Sequence, residues 1–191
     1  MKIYYANVMD LDVDWALTQV PEFRREKALA LRAMEARKCS LGAWLLLQKA
    51  VGMPVPAVEY TPDGKPFFPG AGAVEFNLTH GGVYAACVVA DMPVGIDIQR
   101  IGAIRPGVLA RFYSEEERAL VGQSEYEFTR LWAMKESYVK ACGEGLRRKA
   151  DLSLVQGWEF RTWQIEDYVL AVCAREKITE PERMDLTHDY D

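Results

Sequence analysis

The chain has 191 residues, half of them apolar, and a formal net charge of −5. It is long enough to bury a core in one large domain or two small lobes, and its acidic balance excludes bulk binding of nucleic acid, which needs basic surface to displace counterions. The opening MKIYYANVMD lacks the profile of a secretory signal, and the most apolar stretch, LGAWLLLQKAVGM, is interrupted by Gln48 and Lys49 and is too short to cross a bilayer, so a cytoplasmic protein without a membrane partner is expected.

From Pro21 to Val51 apolar residues recur at helical spacing, which predicts one long helix or a helix pair ended by Gly52 and Pro54. Residues 24–38, RREKALALRAMEARK, concentrate positive charge there, whereas 180–191, EPERMDLTHDYD, are mostly acidic. A basic helix in an acidic protein reads either as a local anion site or as a solvated face. A turn at TPDGKP precedes two strand-like runs, AVEFNLTH and VYAACVVAD, joined by Gly81 and Gly82 as in a hairpin.

The second half repeats this order. VGIDIQRI reads as a strand, YSEEERALV and EFTRLWAMKESYVKACG as helices, and GWEFRTWQIED with YVLAVCARE as another strand pair. The expected fold is α+β and pseudo-duplicated: two lobes, 1–92 and 93–191, each a small antiparallel sheet packed with helices, with a ligand cleft between them. The tail after Lys177 is expected to fray or to lie on the surface. Cys39, Cys87, Cys142 and Cys173 show no C-x-x-C spacing and sit among apolar neighbours, which points to buried thiols in a reducing compartment.

In VGIDIQ, alternation sends Val94, Ile96 and Ile98 to one side of the strand and Gly95, Asp97 and Gln99 to the other. This is an ordinary solvated face or half of a magnesium site, since Mg²⁺ takes oxygen ligands and completes its shell with water and phosphate. In WAMKESYVKACGEGL, Glu136 and Lys140 stand i, i+4 apart. As an exposed ion pair they contribute about 0.3 to 0.5 kcal/mol, with Trp132, Tyr138 and Val139 buried and Gly143 or Gly145 as the cap. If the helix lies over the strand, Glu136 becomes a second metal carboxylate, with Lys135 and Lys140 beside a bound phosphate. FNLTHGG places Thr79 and His80 before a glycine turn whose N–H groups can meet an anion, and DGKPFF places Lys65 in a turn; His188, in the acidic tail, reads as exposed.

The order GKP, FNLTH, VGIDIQ, FYSEEE and WAMKESYVKACGEGL, from about Glu26 to Leu146, resembles the motif series of the surfactin-type (Sfp-like) 4′-phosphopantetheinyl transferases. The resemblance implies Mg²⁺-dependent transfer of the phosphopantetheine arm of coenzyme A to a serine of an apo acyl- or peptidyl-carrier protein, releasing adenosine 3′,5′-bisphosphate. By position, Asp97 and Glu136 match the metal ligands and Lys140 the lysine beside the pyrophosphate. Lys65, Thr79 and His80 match coenzyme A contacts, Lys27 a contact to the 3′-phosphate, and Glu117, or else Glu115 or Glu116, a further functional acid. Asp97, Glu136 and Lys140 form the implied catalytic set.

Where many members carry a third acid, this chain has Gln99, which brings a carbonyl or holds a metal-bound water but adds no charge. Lys135 has no assigned role at this stage, and two lobes in one chain are compatible with a monomer. The competing readings are a coenzyme A or carrier-protein binder that has lost catalysis, and a Mg²⁺-dependent nucleotide pyrophosphatase.

Overall fold

The computed structural model describes residues 1–70, 72–143, 151–152 and 155–187. Gly145, Leu146 and His188, singled out in the sequence, lie outside them.

The chain runs β1 (Lys2–Asn7), α1 (Val13–Gln19), α2 (Glu22–Leu29), α3 (Met34–Val51), β2 (Glu59–Tyr60), β3 (Pro66–Phe67), β4 (Glu75–Gly81), β5 (Tyr84–Ala90) and β6 (Val94–Arg100). It continues with α4 (Pro106–Phe112), α5 (Glu115–Val121), α6 (Glu125–Cys142), β7 (Glu159–Ile165), β8 (Tyr168–Ala174) and β9 (Glu182–Arg183). The mixed α+β class agrees with the sequence reading. The expected helix over 21–51 is a pair, α2 and α3, and both hairpins form as read.

Two principal sheets result, with strand orders β4-β5-β1-β9 and β6-β8-β7. Alternate residues of β5 explain their arrangement. Ala85, Cys87 and Val89 pack with α1, α2 and α3, whereas Tyr84, Ala86, Val88 and Ala90 share a core with Val94, Ile96 and Ile98 of β6 and Leu170 and Val172 of β8. The sheets therefore face each other across common apolar packing, which is why β5 and β8 are buried at every position. Asn77 Oδ1 of edge strand β4 accepts the Ile96 N–H of edge strand β6 at 3.1 Å, so a side chain joins the sheets where no backbone ladder does.

Helix α6 covers the other face of the second sheet. Ser124 caps its N-terminus by accepting the Glu127 N–H, and Gly143 ends it at φ 71°, a left-handed conformation that glycine adopts without strain. Ala133, Ser137 and Ala141, spaced i, i+4, i+8, form a buried stripe of small residues; Trp132 and Tyr138, expected on the buried side, are only half-buried. At Gly95 the helix comes so close that an added Cβ would lie 2.0 Å from the Ser137 carbonyl oxygen and 2.6 Å from the Ala141 amide nitrogen.

A buried ion pair holds α5 to α6. Lys135 Nζ lies 2.7 Å from Glu117 Oε1, with side chains 6% and 5% exposed, and the ammonium also faces the Tyr113 ring. Glu117 Oε2 closes the capping box of α5 on the Ser114 N–H, and Oε1 accepts the Leu152 N–H at 3.3 Å.

The tail beyond Lys177 does not fray through its described part. Ile178 is buried, and β9 pairs in parallel with β1 through Tyr4 and Tyr5. No helix among the described residues is long and apolar enough to cross a membrane.

Gly95→Ala should force α6 away from β6 and lower stability by about 1 to 3 kcal/mol in urea denaturation, the scale of core overpacking; an unchanged midpoint would mean that the helix yields freely. Lys135→Met leaves Glu117 buried without its ionic partner and is expected to lose about 3 to 5 kcal/mol by the same measurement. A loss below about 1 kcal/mol, typical of an exposed pair, would contradict that burial.

Candidate active site

Asp97 lies on the face of β6 beneath α6 and is 3% exposed. Its Oδ1 is 2.6 Å from the Lys140 ammonium and accepts the Thr79 hydroxyl at 3.2 Å. Lys140 also donates to Thr79 Oγ1 at 3.0 Å and to the Ile96 carbonyl at 3.1 Å. Three separate elements, β4, β6 and α6, thus converge on one carboxylate. The close approach at Gly95 is what lets a lysine of α6 reach it.

Gln99 follows Asp97 on the same face and donates its amide N–H to Asp97 Oδ2 at 2.8 Å. It turns its amide nitrogen toward the aspartate because a carboxylate only accepts, which leaves the carbonyl oxygen facing elsewhere. Glu136, one turn before Lys140, is half-buried. Burial and then the negative charge of Asp97 raise its carboxyl above the usual range, with Lys140 opposing. Two neighbouring carboxylates, one of them pushed up in part by the other's charge, form a donor set suited to a small divalent cation, whose charge relieves the repulsion. Asp97 and Glu136 fit Mg²⁺ in this sense, while Gln99 meets Asp97 through its amide nitrogen and not its oxygen. No cluster of three His, Cys, Asp or Glu suited to a metal occurs among the described residues, so water and substrate would have to complete the shell.

Glu136 and Lys140 line a cavity of about 270 Å³ with Lys65, Asn77, Leu78 and Val139. Lys65 projects from a tight turn and is held at its tip, donating to the Ala141 carbonyl at 2.9 Å and pairing with Glu75 at 3.3 Å. Gly143 leaves room for it, since a Cβ there would stand 3.2 Å from Lys65 Cδ. A second cavity, about 480 Å³, is lined by Gly81, Gly82, Gln99, Arg105, Phe128 and Trp132.

His80 stands at the exposed end of β4. Desolvation by the surrounding protein, then the positive charges of Lys140, Arg24 and Lys27, push its pKa below the usual value, against a smaller pull from Asp97. Lys27 is exposed on α2, and desolvation and Arg24 lower its pKa in the same direction. Arg24, not singled out in the sequence, is 7% exposed, donates to the Ser40 carbonyl at 2.8 Å and stacks over Trp44, with its Nε lacking a hydrogen-bond partner. The signal for it was the basic run 24–38, in which nothing separates a buried arginine from exposed ones. In the glycine turn the Val83 N–H meets the Tyr168 hydroxyl at 3.3 Å, so this amide is engaged within the protein.

Of the three acids at 115–117, Glu115 and Glu116 are exposed, and Glu117 has both oxygens committed to Ser114, Lys135 and Leu152. Lys135, next to Glu136 in sequence, thereby acquires its place in the buried pair.

The 4′-phosphopantetheinyl transferase superfamily matches over residues 93–185. A 4′-phosphopantetheinyl transferase of Bacillus subtilis is 31% identical over 190 residues, 84% of each chain. The 4′-phosphopantetheinyl transferase psf-1 of Bacillus pumilus is 30% identical over 164 residues, 76% of this chain and 70% of its own. The 4′-phosphopantetheinyl transferase Sfp of Bacillus subtilis (strain 168) is 36% identical over 93 residues, 46% of this chain and 42% of Sfp. With the motif residues gathered around one buried aspartate and relatives matching over most of its length, the chain belongs to the 4′-phosphopantetheinyl transferase superfamily as an Sfp-like member.

Proposed function

We propose that the chain transfers the 4′-phosphopantetheine group of coenzyme A to a serine of an apo acyl- or peptidyl-carrier protein, with Mg²⁺, and releases adenosine 3′,5′-bisphosphate. The observation that carries this reading is the Thr79–Asp97–Lys140 cluster beside Glu136, which gathers residues that the resemblance matches to metal ligands (Asp97, Glu136), the lysine beside the pyrophosphate (Lys140) and a coenzyme A contact (Thr79). Asp97 and Glu136, with Gln99 directly or through water, would hold the Mg²⁺. That ion supplies charge neutralisation on the pyrophosphate and so improves the leaving group.

The remaining roles belong to the protein's own side chains. Lys140 neutralises the departing phosphate and is suited to protonate its oxygen. Glu136, with its raised proton affinity, accepts the serine proton directly or through water. Lys65, Thr79 and His80 bind coenzyme A and Lys27 its 3′-phosphate, with Arg24 adding a buried positive charge to the same region. Glu117 is not carried forward as a metal ligand, because its oxygens serve the pair with Lys135 and the α5 cap. In this scheme residues 1–92 form the lobe that contacts coenzyme A and 93–191 the lobe bearing the metal site and catalytic helix. We take the protein to be a cytoplasmic monomer, a location in keeping with four free cysteines, three of them buried.

The test is mass spectrometry of apo acyl- and peptidyl-carrier proteins incubated with the chain, coenzyme A and Mg²⁺. One serine should gain one phosphopantetheine. No gain on any carrier would favour the binding protein, and coenzyme A breakdown without a carrier the pyrophosphatase. In the same assay Glu136→Gln is expected to lower kcat about 100-fold or more while circular dichroism stays unchanged; near-normal turnover would remove Glu136 from proton transfer and metal binding. For His80, an NMR titration should place protonation below that of an unstructured histidine, and bound adenosine 3′,5′-bisphosphate should move it upward, since an anion favours the charged ring. A midpoint unmoved by the ligand would separate His80 from the phosphates.

A further inference from the structure

We propose that Lys140 is a resident cation for Asp97, so that a divalent ion binds this site weakly until coenzyme A draws the lysine away. The inference rests on the reading of Asp97 as a metal ligand and adds a second role for Lys140.

Three features support it. The Lys140 ammonium has three N–H groups and three acceptors within reach: Asp97 Oδ1, Thr79 Oγ1 and the Ile96 carbonyl. Asp97 is equally occupied, with Oδ1 taken by Lys140 and Thr79 and Oδ2 by the Gln99 amide. Thr79 closes the triangle by accepting from Lys140 while donating to Asp97, so the three side chains form one ring of hydrogen bonds. A divalent ion approaching Asp97 must break that ring, and the removable member is Lys140, because its side chain is 28% exposed whereas that of Asp97 is 4% exposed.

The lysine needs an anion to move to. Bare Mg²⁺ offers none and places a like charge beside the displaced ammonium, which opposes binding. Coenzyme A brings a pyrophosphate, and Lys140 exchanges the carboxylate for a phosphate oxygen while Asp97 becomes free for the metal. Metal and coenzyme A therefore bind with positive coupling, and the coupling is reciprocal. The acid position occupied by Gln99 sharpens the effect: an amide lends Asp97 a hydrogen bond but no negative charge, so one carboxylate serves lysine and metal in turn.

The probe is Mn²⁺ alone, followed by the electron paramagnetic resonance signal of the free ion at pH 8, on the full chain with and without coenzyme A. The wild type should bind Mn²⁺ at least about tenfold more tightly with coenzyme A present. Lys140→Met should bind Mn²⁺ without coenzyme A at least about tenfold more tightly than the wild type, and the further gain from coenzyme A, which still supplies phosphate oxygens to the ion, should be smaller than in the wild type. Lys140→Arg, which keeps the positive charge, should remain weak, and Lys140→Gln replaces the Met variant if the latter does not fold by circular dichroism. Affinity in the charge-removing variant equal to or below wild type, with Asp97→Asn abolishing Mn²⁺ binding, would overturn the inference and leave the metal site standing. Mn²⁺ binding that survives Asp97→Asn would overturn both.

Discussion

The contact on which the rest depends is the one between α6 and β6 at Gly95. A glycine opposite Ser137 and Ala141 brings a helix backbone within touching distance of a strand backbone, closer than any side chain permits. Glu136 and Lys140 are consequences of that depth. Raised by the thickness of one methyl group, the helix would hold the lysine away from Asp97, and the buried aspartate would face a low-dielectric interior without a positive partner. The small residues Ala133, Ser137 and Ala141 and the residues between them divide the labour: one stripe sets the distance and the adjoining positions 136 and 140 act across it.

Charge is managed in two different ways on the same helix. Lys135 is buried with Glu117, both side chains almost fully shielded, whereas Lys140 shares Asp97 with a hydroxyl and an amide and keeps more than a quarter of its side chain exposed. Breaking the sealed pair strands a buried charge, whereas Lys140 lies partly in water. Adjacent lysines and glutamates in WAMKES look alike as text. Their burial separates a sealed cation from one that is partly exposed.

Much of the site was legible because its residues fall in contiguous motifs whose polar faces follow from alternation: Asp97 and Gln99 on one side of a strand, Glu136 and Lys140 on one side of a helix. The hairpins and paired helices were legible through periodicity and glycine turns. Elements α1 and α4 escaped because seven residues give too few turns for an amphipathic stripe and neither has the capping box that marks the equally short α5, and β1 because KIYYAN carries weak alternation. Strand β9, two residues long in an acidic tail, has almost no local signal at all. Glu117 was ambiguous in the sequence for a different reason: an acid at the third helical position is as good a cap as a ligand, and its partners in α6 and at Leu152 appear only in three dimensions.

The parallel pairing of β9 with β1 joins residues 182–183 to residues 4–5, with nearly the whole sequence between them. During synthesis the first sheet can assemble β4, β5 and β1 while later segments are still emerging, but its outer edge stays bare until the far end of the chain arrives. Contacts of such sequence separation form late and slow folding. In that interval Tyr4 and Tyr5 present unpaired backbone groups to any neighbouring strand, a hazard that the arriving Glu182 and Arg183 remove both by pairing and by setting charged side chains along the rim.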